Sequence, residues 1–305
     1  MMSTLVFSVL ITTKNRLKDL SLTLAKIQFL LERDDVECLI YDDGSADGTS
    51  EYVINNYPQV VLQRNATSKG YLYCRNKMLN QTTALYAISL DDDAHFLSSN
   101  VLQNIQSHFV AHPQCGVIAC RILWGIDVPE QTISNESTLR VKGFVGCGHV
   151  WNMKAWSTIP DYPEWFIFYG EEDFASYQLL KVGWQVQYVP SILVHHSVNL
   201  KTRKKNTDYT MRQRRSLSSG WYLLFLFYPK KLILRKMLYS IYMQLKAKVF
   251  KGDLKALQVI SLALLDLVVA LPKIMKSNFR LTQVELDTYN KLPDTIIYWV
   301  PKSKL

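Results

Sequence analysis

The sequence predicts an α/β protein with a mostly parallel, doubly wound sheet, followed by a helical C-terminal region. Short apolar runs alternate with segments of helical periodicity through residues 1–112. A polar cluster follows each of four apolar runs, as expected where strands end at one edge of a parallel sheet. The 305 residues are 48% hydrophobic, which is enough for a large buried core.

The first half alternates regularly between apolar strands and amphipathic helices. Residues 5–11 form an apolar run rich in β-formers, and leucines and Ile27 then recur at helical spacing as far as residue 31. Asp47 is the predicted N-cap of a later helix. The elements expected after residue 31 are strands at 36–41, 59–64 and 85–90, and helices at 47–56, 71–80 and 98–112.

The alternation is looser beyond residue 113. We expect a strand at residues 144–151, a helix at 172–182 and two short extended runs at 185–189 and 192–194. The predicted domains are a catalytic domain (1–205), with a nucleotide-binding half (1–112) and an acceptor half (113–205), and a basic, amphipathic helical region (206–305).

The charge of the chain is unevenly distributed. Residues 201–280 carry 18 Lys and Arg against three acids, a net charge of +15, and the rest of the chain is acidic. Such a basic region suits an anionic membrane surface or a nucleic acid. The five cysteines include no C-x-x-C pair, which favours reduced thiols in the cytosol over a disulfide framework or a zinc site. No basic segment precedes residues 5–11, so no secretory signal is predicted.

The triplet Asp91-Asp92-Asp93 is the sharpest chemical signal. Alternate strand side chains share a face, so Asp91 and Asp93 are expected on one side. Two carboxylates held that close repel each other unless a cation lies between them, and oxygen ligands favour Mg²⁺ or Mn²⁺. The alternative is a solvated turn or a helix N-cap, which we favour less because an apolar run leads directly into the triplet.

The pair Asp42-Asp43, followed by Gly44 and Ser45, ends the second strand. Gly44 permits a sharp turn close to a ligand, and either Asp can accept hydrogen bonds from a base or a ribose. Alone, the motif is more often an ordinary turn. Its position about fifty residues before the triplet, inside one βαβ pattern, favours a shared site.

Taken in order, five motifs resemble the family 2 glycosyltransferases with a GT-A fold. They are SVLITTKNR (8–16), YDDGS (41–45), RN (75–76), LDDD (90–93) and YGEED (169–173). The resemblance covers roughly the first 200 residues and implies a metal-dependent, inverting transferase. It places Asp91 and Asp93 on a metal ion, Mn²⁺ or Mg²⁺, and on the donor diphosphate. The donor-nucleotide residues that it implies are Thr12, Arg16, Asp42 or Asp43, Arg64, Asn76 and Asp92.

The acidic run Glu171-Glu172-Asp173 is the candidate for general base catalysis. A carboxylate against apolar walls has a raised pKa, which suits removal of a proton from an acceptor hydroxyl. The alternative is a helix N-terminus that favours acids. The resembled family usually reads Glu-Asp here, and the register is ambiguous by one residue. We favour Glu172, with Asp173 next and Glu171 as a further candidate.

Three further residues are expected at the acceptor and one at the metal. Trp165 and Tyr169 begin and end an aromatic run suited to a sugar ring, and Gly146 lies in a glycine-rich loop that an acceptor can approach closely. By the family resemblance, His195 is assigned to the metal, and a structural role is the alternative.

In the C-terminal region, apolar runs alternate with basic residues. Its apolar runs, at residues 217–227 and 256–271, fall short of the ~20 residues that a membrane span needs. Basic amphipathic helices of this kind often lie in a membrane interface; packing on the catalytic domain is the alternative. Residues 213–216 lack the Gln-x-x-Arg-Trp motif of the processive synthases, which indicates single additions.

The sequence therefore predicts transfer of one hexosyl or deoxyhexosyl group from a UDP-sugar or, second, a dTDP-sugar. The acceptor is a hydroxyl of a glycan or lipid-linked glycan, in cell-surface polysaccharide synthesis. The expected location is cytoplasmic and peripheral on the inner face of the plasma membrane, with no nucleic acid as partner. One alternative is a sugar nucleotidyltransferase, although residues 12–16 lack the glycine that its phosphate loop needs. The other is a non-enzymatic module that binds RNA or anionic lipid.

Overall fold

The structure is a computed structural model that describes residues 5–198, 209–277 and 279–300. Nine strands in this part of the chain form one mixed sheet. The strands are β1 Phe7–Thr13, β2 Val36–Asp42, β3 Val61–Arg64, β4 Tyr86–Asp91, β5 Ala94–Phe96, β6 Cys115–Trp124, β7 Leu139–Val141, β8 Gly148–Asn152 and β9 Gln185–His196.

Helices cover both faces of the sheet and continue beyond it. The helices are α1 Leu17–Lys26, α2 Gln28–Leu31, α3 Thr49–Asn56, α4 Tyr71–Gln81, α5 Val101–Ala111, α6 Met153–Trp156, α7 Glu171–Lys181, α8 Tyr209–Phe227, α9 Lys230–Ala247, α10 Lys255–Lys276 and α11 Gln283–Lys291. Two 3₁₀ turns, Glu164–Phe166 and Val249–Lys251, lie between them. The predicted α/β fold and its C-terminal helices are confirmed.

The strand order is β3-β2-β1-β4-β8-β6-β9-β5, with β7 paired to β9. The first four strands run parallel, and Thr12 lies opposite both Tyr41 of β2 and Asp91 of β4. The carboxyl ends of β1, β2 and β4 therefore meet at one edge, which is where such sheets bind ligands. The sheet is mixed because β8 runs antiparallel to both β4 and β6.

The second half of the sheet departs from the prediction. The predicted runs 185–189 and 192–194 form one strand, β9, which continues through Pro190. The proline is tolerated because the register with β6 shifts there, between the pairs Cys120/Val189 and Arg121/Leu193. Strands β5, β6 and β7 were not predicted. All but the last residue of β6 are buried, so it shows no alternation.

Asp47 has a different role from the predicted cap. The N-cap of α3 is Gly48. The Asp47 carboxylate accepts the backbone N–H of Leu17 at 3.0 Å and that of Thr49 at 3.2 Å. It therefore joins the starts of two helices near the carboxyl end of the sheet.

Two apolar layers sandwich the sheet. Side chains alternate along β1, so Val9 and Ile11 pack in one layer and Leu10 in the other. The layer that contains Leu10 also includes Trp221 of α8 and Leu267 of α10. The C-terminal helices therefore bury part of their apolar surface on the body of the protein.

Helix α10 is longer than the predicted apolar run and passes through Pro272. Among the described helices it alone is long and apolar enough to cross a membrane, by length and composition only, with a mean hydropathy of 1.9. A third of that apolar stretch is buried against the rest of the protein. Asp266 within it accepts hydrogen bonds from Arg214 and Ser218 of α8.

Candidate active site

A cleft of about 690 Å³, called the donor cleft below, opens at the carboxyl edge of the sheet. The loops after β1 and β4, the start of α4 and the end of β9 form its walls. Four of the predicted donor-nucleotide residues line it together with both predicted metal carboxylates and one histidine: Thr12, Arg16, Asp43, Asp91, Asp92, Asp93 and His196.

Three side chains in this cleft converge as metal ligands would. One ligand atom each from Asp91, Asp93 and His196 lies within 4.8 Å of the other two. The Nε2 atom of His196 is 3.0 Å from Oδ1 of Asp93 and 3.9 Å from Oδ2 of Asp91. Two carboxylates and an imidazole suit Mn²⁺ or Mg²⁺, and open positions would remain for phosphate oxygens.

The structure places His196 in this cluster and not His195, which was the predicted residue. The two are consecutive on β9, so their side chains point to opposite faces of the sheet. Nε2 of His195 lies 2.9 Å from the carbonyl oxygen of Gly125, and its ring packs edge-on against His95. His195 is therefore held by a loop on the other face.

The acidic triplet is only partly neutralised by the protein. Arg16 lies 2.9 Å from Asp92 and 2.5 Å from Asp93, and Arg75 lies 2.8 Å from Asp91. Burial and the neighbouring carboxylates raise the pKa of Asp92 to about 8, despite Arg16. Burial would also raise the pKa of Asp93, but His196 and Arg16 together lower it below its usual value. The raised pKa of Asp92 indicates that the two guanidinium groups do not fully stabilise three ionised carboxylates, so the site favours one more cation.

Arg75 was not predicted as a functional residue, although it belongs to one of the five motifs. Its guanidinium is buried on α4 and packs over the ring of Tyr71, whose hydroxyl lies 3.3 Å from Asp91. A charge buried this completely needs a partner. That requirement is the signal that was available in the sequence, where an arginine interrupts the apolar face of a helix.

The predicted nucleotide residues divide into two groups. Asp43 lines the donor cleft, where its carboxylate accepts N–H groups from Lys69 and Gly70, and these hold the loop before α4. Asp42 is fully buried and accepts the N–H of Ser45, so it stabilises the turn. Of the two residues that were left open, Asp43 is the one at the cleft.

Arg64 and Asn76 are not among the residues that line the donor cleft. Arg64 donates to the carbonyl oxygen of Ser45 at 2.8 Å and supports the same turn from outside. Asn76 is buried, and its amide exchanges two hydrogen bonds with the backbone of Tyr162, at 2.9 and 3.0 Å. Its amide is fully engaged in joining α4 to the loop before α7.

The candidate base and a candidate metal ligand are attached to neighbouring residues of one loop. The N–H of Gly146 donates to Oε1 of Glu172 at 3.1 Å. The next residue, Cys147, accepts the backbone N–H of Asp91 at 3.2 Å. A methyl group at position 146 would lie 2.7 Å from Oε1 of Glu172, so only glycine leaves room for this carboxylate.

The acidic run at the start of α7 spreads over three environments. Removal from water, followed by the charge of Glu171, raises the pKa of Glu172 well above its usual range. Burial raises the pKa of Glu171 to about 7, and one of its oxygens has no hydrogen-bond partner. Asp173 lines a second cleft. A raised pKa is what a general base acting near neutral pH requires, and burial raises the pKa of all three carboxyls. Glu172 is the one that Gly146 ties to the loop holding Asp91, although it is not among the residues that line either cleft.

The aromatic run before α7 does not form one floor. Trp165 packs against Tyr222 of α8 and lines neither cleft, because α8 covers this face of the run. Phe168 lines the donor cleft and contacts the ring of Tyr71. Tyr169 lines the second cleft. Its positive φ of 72° turns the chain between the two clefts.

Helix α8 brings two arginines to the donor cleft that sequence analysis did not assign. Arg212 and Arg215 lie one turn apart and line it together with the acidic triplet. The excess of basic residues after position 201 predicts, by itself, a surface that faces a membrane or a nucleic acid. The packing of α8 beside the donor cleft is a feature of the tertiary structure, and it cannot be derived from the composition of the segment.

A mixed sheet whose carboxyl edge bears an Asp-x-Asp cluster, with a candidate base at the start of α7, defines a glycosyltransferase of GT-A type. Residues 8–174 match the model of the family described as "Glycosyl transferase family 2". The chain belongs to this family, and the sequence-based resemblance is confirmed. No curated protein matches significantly.

Solved structures share the fold at low sequence identity. GalNAc-T7, solved with UDP, GalNAc and Mn²⁺, aligns with a TM-score of 0.58 and 15% identity over 75% of this chain and 49% of that chain. The chain thus spans about half of that protein. A mannosyltransferase from Pyrobaculum calidifontis, in complex with GDP-Man and Mn²⁺, aligns with a TM-score of 0.55 and 15% identity over 93% of this chain and 78% of that chain. Residues 1–349 of S. aureus TarS align with a TM-score of 0.55 and 17% identity over 88% of this chain and 82% of that chain.

Proposed function

We propose that this protein transfers one sugar from a nucleotide-sugar to an acceptor hydroxyl, with inversion at the anomeric carbon and a divalent cation bound by Asp91, Asp93 and His196. One observation carries the proposal. Consecutive residues of one loop hold the two groups: Gly146 holds the carboxylate of Glu172, which is suited to be the base, and Cys147 holds the backbone of the metal-cluster residue Asp91.

The donor would lie in the cleft at the carboxyl edge of the sheet. Asp43 and Thr12 lie at its nucleoside end, and the buried hydroxyl of Thr12 has no hydrogen-bond partner in the described residues. Arg212 and Arg215 approach from α8 with charge suited to a diphosphate. When bound, Mn²⁺ or Mg²⁺ neutralises charge that develops on the leaving diphosphate. The structural relatives solved with UDP and with GDP-Man support this class of donor, and UDP remains our first expectation.

The protein's own residues would perform the proton transfer. Glu172 accepts the proton of the acceptor hydroxyl, and the oxygen forms the new bond to the anomeric carbon. The bond from that carbon to the diphosphate breaks at the same time, and the nucleoside diphosphate leaves with the bonding electrons. Gly146 holds Glu172 in position, and Arg75 holds Asp91. The attacking oxygen approaches opposite the leaving group, so the product has the inverted configuration.

We further propose contact with a membrane through α9. Leu234, Leu238 and Tyr242 recur four residues apart and are 69%, 58% and 50% exposed. Exposed Lys231 and Arg235 flank this stripe. An apolar stripe bordered by cations suits the interface of an anionic bilayer. Such a location agrees with synthesis of a cell-surface glycan from cytoplasmic nucleotide-sugars.

The catalytic proposal is tested with a panel of UDP-, dTDP- and GDP-sugars, each with and without Mn²⁺. We expect one class to raise the melting temperature only with metal, and to release nucleoside diphosphate, since a ligand of the folded state stabilises it. Asp93→Asn removes both effects, and Asp287→Asn, an exposed change on α11, leaves them intact. If no nucleotide-sugar binds with or without Mn²⁺, the enzymatic proposal is wrong. The anomeric configuration of the product, read by NMR, decides inversion.

The membrane proposal is tested by sedimentation with vesicles that contain about 30% anionic lipid. We expect the protein to pellet with them, and Leu238→Glu to stay in solution. Val110→Glu places the same charge on an exposed residue of α5 and is the matched control. Equal pelleting of Leu238→Glu and the unmodified protein would show that α9 is not the contact.

A further inference from the structure

A second cleft, called the α8–α9 cleft below, holds about 990 Å³ between helices α8 and α9. Trp124, Tyr169 and Asp173 line it on the side of the catalytic domain. Apolar side chains of α8 make up much of its wall: Leu217, Trp221, Leu223 and Leu224. A drug-sized or larger apolar ligand fits a cavity of this size.

The α8–α9 cleft is kept open by a glycine inside a helix. Gly220 lies in the interior of α8 and lines the cleft. A methyl group added there would meet no atom within 4 Å, so packing does not require glycine. Glycine in a helix interior is destabilising relative to alanine. Ser216, one turn earlier, is also small, and together they leave a bare stretch of helix facing the cleft.

The charge of the α8–α9 cleft selects an anion. Arg212, Lys236 and Lys248 line it, and Asp173 is the single acid among its described lining residues. Nζ of Lys248 lies 2.9 Å from Oε1 of Gln213, so this cation lies at the same end as Arg212. Arg212 also lines the donor cleft. The basic end of the α8–α9 cleft therefore adjoins the donor.

The aromatic wall leads to the same junction. The ring of Trp124 packs edge-on against His196 of the metal cluster, with centroids 5.5 Å apart. The same tryptophan lines the α8–α9 cleft beside Asp173, which directly follows Glu172 in the chain. A ligand whose head lies between Trp124 and Arg212 is thus next to the reacting groups.

From this arrangement we infer that the α8–α9 cleft binds the acceptor, and that the acceptor is an amphiphile with an apolar chain joined through a phosphate to a hydroxyl-bearing head. This rests on the proposed transferase function. The phosphate pairs with Arg212 and Lys248, the head reaches the donor, and the chain runs along Trp221 and Leu224. The opposite face of α9 carries the exposed apolar stripe at Leu234 and Leu238, so a bilayer that contacts this stripe would lie beside the helix that forms one wall of the cleft.

The test measures binding of a 12-carbon lysophosphatidylglycerol by calorimetry, with Mn²⁺ and the nucleoside diphosphate present. Glycerol 1-phosphate lacks the chain, and dodecyl maltoside lacks the charge. We expect the lysophospholipid to bind at least tenfold more tightly than either. Equal affinity for dodecyl maltoside would overturn the phosphate part, and equal affinity for glycerol phosphate would overturn the chain part.

Gly220→Leu is the decisive variant because it adds an apolar side chain to the α8–α9 cleft at a position where the Cβ has open space. We expect at least a tenfold loss of lysophospholipid affinity, an unchanged affinity for the nucleoside diphosphate, and a melting temperature that does not fall. Ala247→Leu adds similar volume on α9 outside the cleft and keeps full affinity. Unchanged lysophospholipid binding by Gly220→Leu overturns this inference while the donor result stands. Absence of nucleotide binding by the unmodified protein would overturn the transferase function itself.

Discussion

The guanidinium of Arg75 lies 2.8 Å from the carboxylate of Asp91, and its side chain is 2% exposed. It also donates to the carbonyl oxygen of Leu90 at 3.4 Å. The arginine thereby fixes the end of β4 from beneath the metal cluster. A residue that hydrogen-bonds to a metal ligand fixes the orientation of that ligand, and Arg75 would do so for Asp91.

Arg75→Lys is expected to weaken Mn²⁺ binding by about 10- to 100-fold, because a single ammonium cannot hold Asp91 and Leu90 with the same geometry. Titration of activity with Mn²⁺ measures this. Arg33→Lys, at an exposed pair with Asp35, is the matched control and leaves the titration unchanged. An unaltered Mn²⁺ requirement in Arg75→Lys would contradict a positioning role.

His196→Ala is expected to abolish the Mn²⁺ response of the melting temperature, because it removes the imidazole of the cluster. His195→Ala removes only the contact with Gly125 on the opposite face. Its Mn²⁺ response is therefore retained, with a modest fall in stability. Thermal melts of the two variants across a Mn²⁺ series distinguish these results, and the reverse outcome would return the ligand role to His195.

Gly146→Ala is expected to lower kcat by about 100-fold, because a shift of about 1 Å in a reacting group has an effect of that size. The added methyl group forces the Glu172 carboxylate to move, but only at the end of a flexible side chain. Stability and the affinity for nucleoside diphosphate should therefore change little. Single-turnover rates alongside nucleotide titrations separate the two; a loss of nucleotide affinity instead would place Gly146 in the donor site.

Glu171→Gln is expected to shift the acid limb of the pH–rate profile to lower pH. The charge of Glu171 helps to raise the pKa of Glu172, so its removal lowers that pKa and the base stays ionised in more acidic solution. Glu172→Gln should remove turnover at every pH. A limb that moves to higher pH, or does not move, would mean that another group is the base.

Glu171→Gln also has a predicted effect on the stability of the protein. Burial raises the pKa of Glu171 to about 7 in the folded state, so the folded protein binds more protons than the unfolded chain between the ordinary glutamate pKa and that value. Stability therefore falls as pH rises through this window. Glu171→Gln should flatten this dependence, which chemical denaturation at several pH values measures. A dependence as steep as in the unmodified protein would argue against a buried, neutral Glu171.

Arg214→Ala should reduce the free energy of unfolding by about 1 kcal/mol, a value kept low because the arginine side chain is 37% exposed. The pair with Asp266 fastens α8 to α10. A double-mutant cycle with Asp266→Ala measures the coupling between the two residues. Additive losses would show that the pair contributes nothing beyond the two side chains taken singly.

The first half of the fold followed from sequence because its strands and helices alternate with clear periods. Helix α4 and strand β4 lie within one residue of their predicted bounds. The second half could not be derived in this way. Strand β6 is buried almost throughout and lacks a period of two, and Pro190 suggested a break that a register shift absorbs. Only neighbouring strands decide such cases.

The site residues that lie at strand ends could be predicted from the sequence. Those whose role depends on the side of the sheet to which a side chain points, or on a helix that covers them, could not. Asp91 and Asp93 meet because β4 delivers them to the edge. The choice between His195 and His196 depends on the register of β9 against β6, which the sequence does not state. Trp165 looked suitable for a sugar because the cover that α8 provides is distant in the chain.

The loop formed by residues 143–148 has a consequence for how such a chain can change. The carbonyl oxygen of Cys147 accepts the backbone N–H of Asp91, and the N–H of Gly146 donates to the carboxylate of Glu172. A single inserted residue there would displace both reacting centres by different amounts. Variation in length should therefore accumulate elsewhere, for example in the exposed stretch between β6 and β7, while this short loop keeps its span across natural variants.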